Sequence, residues 1–211
     1  MQNLKLVCFD LDDTLIREYH SVMIPCLIHD KELEHDLIQK REMANEIDYI
    51  TADILRAELL AGLKVAQLTS HFFEYAKPLK NIKETIMQLH QRGMKCILIT
   101  VGPIQVAKIV ADFYGFDAYY GSSYETLEGV FTGRIGNYVR AEHKIDCLKD
   151  YCQRHDIAPS DCMSIGDGAT DIPLFRYCGH SIAINSSEEV KSQATHSIET
   201  DDLMAILKYI K

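Results

Sequence analysis

The stretch that decides the fold is LKLVCFDLDDTL, Leu4 to Leu15. Its first six residues, Leu4–Phe9, are nearly all apolar, which is typical of a strand covered by helices on both faces. Asp10 and Asp12 follow, and they point to the same side of an extended chain. Since ligands of an open parallel sheet bind beyond the carboxyl ends of its strands, the stretch predicts both a buried first strand and a site at its end.

The two carboxylates also indicate a bound cation. Asp10 and Asp12 lie close enough to repel each other unless a cation or a shared proton compensates. Magnesium does so readily, because hard cations prefer oxygen ligands. Taken alone, the motif fits equally well with a solvated acidic turn that caps the following helix.

Three later apolar runs predict further buried strands, at Cys96–Ile99, Cys162–Ile165 and Ser181–Ile184. Helical patterns alternate with these runs, and one apolar stripe ends at Gly93, a residue type that commonly terminates helices. Alternating strands and helices predict an α/β fold, with a doubly wound, Rossmann-like parallel sheet and right-handed crossovers.

Two segments depart from this alternation. Residues 17–76 are strongly helical and too long for one crossover helix, so they predict a small helical cap inserted after the first strand. The catalytic core would then comprise residues 1–16 and 77–211. Residues 119–135 are rich in β-formers around Leu127-Glu128-Gly129, which predicts a small hairpin.

Two helix starts are expected near the end of the chain. Ser186 and Glu189 have the spacing of a capping box. Asp201 or Asp202 is expected to cap a last helix whose apolar residues include Leu203.

A second acidic run, SIGDGATD, covers Ser164 to Asp171 and again begins where a predicted strand ends. Its glycines permit close backbone approach, and Asp167 would complete a metal site opposite Asp10. The alternative is an ordinary strand-to-helix turn with Asp171 as the N-cap.

Two weaker sequence patterns lie between the acidic runs. Thr100 and Gly102 follow a predicted strand, where a hydroxyl and free backbone N–H groups bind phosphoryl oxygens. Lys144 lies near the start of a predicted helix. By themselves, a Thr-x-Gly sequence is more often a simple turn, and a lysine on an amphipathic helix more often belongs to a solvated face.

The composition narrows the partners and the location. The formal net charge is −9 without a basic run, which argues against nucleic-acid and anionic-membrane surfaces. A small phosphorylated metabolite stays possible as a partner, because one metal ion and one or two cations can hold it locally. Seven cysteines, an odd number without a Cys-x-x-Cys pair, indicate free thiols in a reducing compartment. With neither a signal-peptide pattern nor a membrane-length apolar run, a cytoplasmic protein is expected.

In combination, the four signals resemble the motif order of the haloacid dehalogenase superfamily, from Phe9 to Asp171. The resemblance implies that Asp10 attacks phosphorus to form an aspartyl-phosphate, and that Asp12 protonates the leaving oxygen and then deprotonates water. It implies Mg²⁺ held by the Asp10 carboxylate, the Asp12 backbone carbonyl and Asp167. The acid at position 12 favours phosphate chemistry over halide release.

The resemblance also implies how the phosphoryl group is held. Its oxygens would bind Lys144 and the Thr100-Val101-Gly102 segment as charge builds in the transition state. Asp171 would orient Lys144 or metal-bound water.

Within the superfamily, the chain is most similar to the phosphoserine phosphatase-like branch, whose cap is inserted at the same place. Gly166–Ile172 resembles that branch's Gly-Asp-Gly-Ala-Asn-Asp-Ile, and Phe131-Thr132-Gly133 resembles its Leu-Thr-Gly. In the cap, Arg56 matches the arginine that binds the substrate carboxylate. These similarities imply a phosphatase that acts on L-phosphoserine or on another small phosphate ester.

Three departures affect substrate recognition. Val101 stands where the branch has glycine, and Thr170 stands where it has asparagine, at a substrate-binding position. The glutamate that binds the substrate amine has Tyr19 in its place, with Glu18 one residue early. Phosphoalcohols and sugar phosphates therefore remain alternative substrates. Two alternative functions also remain: transfer of the phosphoryl group to an acceptor other than water, and a regulatory role in which the protein binds phosphate without turnover.

Overall fold

The computed structural model describes residues 4–210, which contain a seven-stranded sheet flanked by helices. Six of its strands are parallel to one another, and the seventh, at one edge of the sheet, is antiparallel to its neighbour. The strands of this sheet are β1 (Leu6–Phe9), β4 (Lys95–Pro103), β5 (Ala118–Leu127), β6 (Val130–Asn137), β7 (Cys162–Gly166), β8 (His180–Ile184) and β9 (His196–Ile198). Two short strands, β2 (Ile16–Arg17) and β3 (Lys77–Pro78), form a separate antiparallel pair.

The strand order, β6-β5-β4-β1-β7-β8-β9, places the first strand in the middle of the sheet. β1 pairs with β4 on one side and with β7 on the other. The strands that come next in the chain, β4 to β6, lie on one side of β1, and the later strands, β7 to β9, lie on its other side. The carboxyl end of β1 is therefore the topological switch point, the place where open α/β sheets commonly bind ligands. The predicted doubly wound α/β fold is confirmed.

Helices cover both faces of β1, and this accounts for its unbroken apolar sequence. Val7 and Phe9 belong to the larger core cluster, on one face of the sheet. Leu6 and Cys8 belong to the smaller cluster on the other face, together with Leu148. All four residues of the strand are at most 1% exposed. The core helices are α5 (Ile82–Gln91), α6 (Ile104–Tyr114), α7 (Ala141–His155), α8 (Ile172–Tyr177) and α9 (Glu188–Lys191).

The expected hairpin is present but extends the main sheet. β5 pairs in parallel with β4, so the hairpin forms an edge of the seven-stranded sheet. Its two-residue turn is Glu128-Gly129, with φ of 51° and 77°. Positive φ at both positions is the conformation that joins two twisted strands most directly.

Residues 23–75 contain four α-helices, α1 (Met23–Ile28), α2 (Glu32–Met43), α3 (Tyr49–Glu58) and α4 (Val65–Tyr75). Immediately outside them, β2 and β3 pair with each other, which brings the two ends of the helical segment together. α3 packs against β6 and α4 packs against α6. We describe α1–α4 as the cap below; its status as a separate domain stays a prediction.

One expectation about the C-terminal part of the chain was wrong in detail. The N-cap of α9 is Ser187, whose side chain accepts a hydrogen bond from Val190 N, and not Ser186. Asp202 caps the last helix as expected, but Leu203–Tyr209 is a 3₁₀-helix, tighter than an α-helix. None of the helices within residues 4–210 combines the length and the hydrophobicity that crossing a bilayer requires.

Candidate active site

Asp10 is the first residue after β1, and its side chain is held in the interior of the protein. Its backbone N–H donates to Ile165 O at 2.9 Å, which continues the pairing of β1 with β7. The residue is 7% exposed, and its Oδ1 accepts a hydrogen bond from Lys144 Nζ at 2.5 Å. A carboxylate thus lies at the switch point, opposite a positive charge.

Lys144 is fully buried on the first turns of α7. Its ammonium contacts Asp10 Oδ1 and, at 2.8 Å, Asp171 Oδ1, with Thr170 Oγ1 at 3.4 Å. Burial lowers the pKa of Lys144, but the two carboxylates outweigh it and raise the pKa above its ordinary value. Lys144 is therefore a charged group inside the site, and the interpretation as a solvated helix face was wrong.

The loop after β7 places two more carboxylates beside Asp10. Asp171 Oδ2 accepts hydrogen bonds from the backbone N–H groups of Asp167 and Gly168, both at 3.2 Å. This closes the loop tightly, and a Cβ on Gly166 would overlap the Asp171 carboxylate. Asp171 thus positions both the loop and Lys144.

Asp10, Asp167 and Asp171 form a cluster that fits a divalent cation. One carboxylate oxygen from each lies within 4.8 Å of the others. Burial, and then the neighbouring Asp171 carboxylate, raise the pKa of Asp10 well above its ordinary value and that of Asp167 to about 7. The three carboxylates have one ammonium group, that of Lys144, beside them. They form an oxygen-rich, negatively charged donor set of the kind that magnesium binds. The sequence-based pairing of Asp10 with Asp167 is thus present in space.

Asp12 is held by a residue that entered no prediction. Asp12 Oδ1 accepts from Ser21 N at 2.5 Å, and Oδ2 accepts from Ser21 Oγ at 2.6 Å. Burial raises the pKa of Asp12, and the hydrogen bonds from Ser21 oppose that rise. A raised pKa suits a group that must deliver a proton. Ser21 itself packs on Gly102, where a Cβ would overlap the serine hydroxyl.

The Thr100-Val101-Gly102 segment lies at the carboxyl end of β4, next to β1. Thr100 is 1% exposed, and its Oγ1 accepts a hydrogen bond from Gly102 N at 3.0 Å. Val101 O accepts from Ser122 Oγ at 2.7 Å, which ties the segment to β5. The segment is the irregular last part of β4, at the end of the sheet where Asp10 lies.

The two cap residues singled out by the sequence lie on one cavity, but Arg56 already has anionic partners. Arg56 donates to Glu42 Oε2 at 2.5 Å and to Asp53 Oδ1 at 3.1 Å. Glu18 is exposed, with a φ of 69°, and lines a cavity of about 490 Å³ together with Arg56.

Two residues that support the acidic groups were missed from sequence. Thr14 Oγ1 donates to Asp167 Oδ1 at 2.9 Å, across 153 positions of the chain. Thr14 belongs to the first acidic motif, so its spacing from Asp10 was the available signal. Ser21 had no such signal, since it belongs to none of the recognised motifs.

Comparison with known proteins agrees with this geometry. A family model described as haloacid dehalogenase-like hydrolase matches residues 7–176. A phosphoserine phosphatase of Streptococcus thermophilus is 29% identical over 212 residues, covering 97% of this chain and 95% of that protein. One of Saccharomyces cerevisiae is also 29% identical, over 205 residues and 96% of this chain, but the match spans only 66% of the yeast protein.

Solved structures are similar over the whole chain. A substrate-bound phosphoserine phosphatase complex superposes with a TM-score of 0.83 at 25% identity, covering 100% of both chains. A phospho-aspartyl intermediate analogue of phosphoserine phosphatase gives a TM-score of 0.82 at 26% identity, covering 99% of this chain and 100% of the other.

Proposed function

Since this chain belongs to the family of haloacid dehalogenase-like hydrolases, we propose that it is a magnesium-dependent phosphatase that cleaves small phosphate monoesters through a phosphorylated Asp10. The observation that carries the proposal is the arrangement around the Asp10 carboxylate. Lys144 Nζ lies 2.5 Å from it, and an oxygen of Asp167 lies within 4.8 Å. These are the groups that a nucleophilic carboxylate needs beside a phosphate dianion.

Asp10 performs the first step. One of its oxygens attacks phosphorus, the bond from phosphorus to the alcohol oxygen breaks, and an aspartyl-phosphate forms. The ammonium of Lys144 offsets negative charge on the nucleophile and on the phosphoryl oxygens. Thr100, at the neighbouring strand end, supplies a hydroxyl donor for the same oxygens, and Gly102 N, which donates to Thr100 Oγ1, holds that hydroxyl in place.

Asp12 moves the proton in both steps. It protonates the departing alcohol oxygen, and then takes a proton from the water that attacks the aspartyl-phosphate. Its burial and raised pKa favour the protonated form needed in the first step. Ser21 fixes both of its oxygens in place.

Magnesium would be held by Asp10, Asp167 and the backbone carbonyl of Asp12. When bound, it supplies positive charge that lets two anions, the carboxylate and the phosphate, approach each other. Asp171, engaged by Lys144 and two backbone N–H groups, keeps the surrounding loop in place.

The substrate is proposed as a small phosphorylated metabolite, and L-phosphoserine, named in the relatives, is the first compound to assay. We also place the enzyme in the cytoplasm. All seven cysteines are free thiols, as a reducing compartment favours.

The experiment is hydrolysis of para-nitrophenyl phosphate with magnesium and with excess chelator, using the parent protein and an Asp10→Asn variant. We expect magnesium-dependent turnover that falls by at least about 10³-fold in the variant. Asp112→Asn, a change at an exposed aspartate on α6, is the matched control and should retain turnover. Equal turnover by Asp10→Asn and the parent would contradict the role of Asp10.

A further inference from the structure

The cavity lined by Glu18 and Arg56 lies next to the segment that holds Asp12, the proposed proton donor. His20 and Val22 also line it, and they are the two neighbours of Ser21. Ser21 holds both oxygens of Asp12, the proposed proton donor to the departing alcohol. With the substrate oxygen facing Asp12, the alcohol part would extend towards this cavity.

The positive charge of Arg56 is already shared between two cap carboxylates. Glu42 and Asp53 accept from its two terminal nitrogens at 2.5 and 3.1 Å. The second oxygen of Asp53 accepts a hydrogen bond from Tyr138 OH, which fixes that carboxylate between cap and core. The side chains of Arg56, Glu42 and Asp53 are 10%, 29% and 18% exposed, so water screens these pairs only in part.

A substrate carboxylate would be poorly accommodated in this environment. The cavity lining contains the carboxylates of Glu18 and Glu42 and the guanidinium of Arg56, which also serves Asp53. A third carboxylate brought to Arg56 would approach Glu42 and Asp53 as well, and like charges at such distances repel strongly when partly buried. The chain thus has the arginine expected of the branch, but both of its terminal nitrogens are engaged by carboxylates, and only the buried Nε has no hydrogen-bond partner among residues 4–210.

The cavity also offers neutral polar groups. His35 is 3% exposed and lines it, and neither ring nitrogen has a hydrogen-bond partner among residues 4–210. Asp36 Oδ1 lies 3.8 Å from Nδ1, beyond hydrogen-bond distance. Burial lowers the pKa of His35, so the ring is neutral at pH 7 and presents one donor and one acceptor. A buried polar group without a partner indicates a ligand that supplies one.

We propose that the cap cavity selects phosphate monoesters whose alcohol carries hydroxyl or amine groups but no carboxylate, with Glu42, Asp53 and His35 as specificity-determining residues. This inference rests on the proposed phosphatase function. It differs from the expectation, drawn from resemblance, that Arg56 binds a substrate carboxylate.

The first test compares kcat/KM for phosphoserine, phosphoethanolamine and glycerol 3-phosphate in the presence of magnesium. Phosphoethanolamine is phosphoserine without its carboxylate. Glycerol 3-phosphate has a hydroxyl in place of the amine of phosphoserine and a hydroxymethyl group in place of its carboxylate. We expect at least one of the two carboxylate-free esters to exceed phosphoserine by at least about tenfold, the effect of removing one repulsive charge contact. Phosphoserine equal to or better than both would overturn the inference.

The second test removes the negative charges from around Arg56. In the double variant Glu42→Gln, Asp53→Asn, the guanidinium is free to bind an added carboxylate. We expect the ratio of kcat/KM for phosphoserine to that for phosphoethanolamine to rise at least about tenfold. Glu46→Gln, at an exposed cap glutamate, is the control and should leave the ratio unchanged. An unchanged ratio in a folded double variant would count against the inference.

The assays distinguish an error in this inference from an error in the phosphatase assignment. Loss of the assignment would appear as no magnesium-dependent hydrolysis of para-nitrophenyl phosphate by the parent protein. Loss of the inference alone would appear as intact hydrolysis of that compound together with a preference for phosphoserine.

Discussion

Lys144, proposed to act in catalysis, also bears on the stability of the fold. Its ammonium has no exposed surface and lies between the carboxylates of Asp10 and Asp171. Removing it would leave these carboxylates buried, close together and without their shared counter-ion. Breaking a buried ion pair from one side is much more costly than breaking a surface pair.

For Lys144→Met we expect the free energy of unfolding without magnesium to fall by about 3–5 kcal/mol. Lys149→Met, an exposed position on the same helix, is the control. Urea denaturation of both variants and the parent measures the difference. A loss below about 1 kcal/mol for Lys144→Met, the range of surface pairs, would show that the site does not depend on this charge.

In the proposed mechanism, Ser21 would act on the reaction through Asp12. In Ser21→Ala the hydroxyl that contacts Asp12 Oδ2 is lost, while the backbone N–H bond remains. Proton donation matters most for a poor leaving group, so kcat should fall about tenfold for an alkyl phosphate and much less for para-nitrophenyl phosphate. Ser70→Ala, at an exposed cap serine, is the control. Equal losses on both substrates would contradict a role in proton transfer.

At the scale of the elements, local sequence predicted the strands and the turn better than the contacts between them. The strand before Asp10 and the hairpin turn at Glu128-Gly129 are determined by residues that are adjacent in the sequence. Both were predicted, and both predictions were confirmed. Nothing local shows that β5 pairs in parallel with β4, because pairing partners depend on the whole sheet. The last helix was predicted but its type was not, because its apolar residues fit both an α-helix and a 3₁₀-helix.

Asp117 joins three elements of the core. Its carboxylate accepts from Lys95 Nζ, Cys96 N and His90 Nε2, at 2.7 to 2.8 Å. Burial raises its pKa, but these hydrogen bonds outweigh it, so the pKa in the folded protein lies below the ordinary value. The unfolded chain then binds a proton at higher pH than the folded protein does, and ionised Asp117 contributes stability that disappears on acidification.

We therefore expect Asp117→Asn to unfold more readily than the parent near neutral pH. The difference in free energy of unfolding should be constant above about pH 5 and shrink as pH falls below about 4, through the lowered pKa of Asp117. Denaturation curves of both proteins across that range measure it. A difference that grows on acidification would reverse the sign assigned to this carboxylate.

At the scale of the whole molecule, the site brings together groups that are remote in the chain. The acidic motifs and Lys144 could be predicted from sequence because each follows a recognisable strand or occupies a motif position. The hydrogen bond from Thr14 to Asp167 and the ion pair of Arg56 with Glu42 could not be predicted from sequence, since they form only when the chain folds. Sequence therefore predicted the chemical groups, and the structure was needed for their partners.

Magnesium binding at this assembled site should stabilise the whole fold. A ligand that binds only the folded state, at a hundredfold excess over its dissociation constant, adds about 2.7 kcal/mol. We expect magnesium to raise the melting temperature of the parent protein and to have little effect on Asp167→Asn. Asp156→Asn, at the end of α7 and outside the acidic cluster, is the control. An equal shift in Asp167→Asn and the parent would place the ion elsewhere.

The central claim is that Asp10 carries the phosphoryl group during turnover. The most direct measurement is acid quenching of the enzyme during hydrolysis, followed by borohydride reduction and peptide mass spectrometry, since borohydride converts an acyl phosphate on aspartate into homoserine. The account predicts homoserine at position 10, dependent on both substrate and magnesium. Homoserine at another aspartate, or an unmodified Asp10 in an enzyme shown to be turning over, would contradict it.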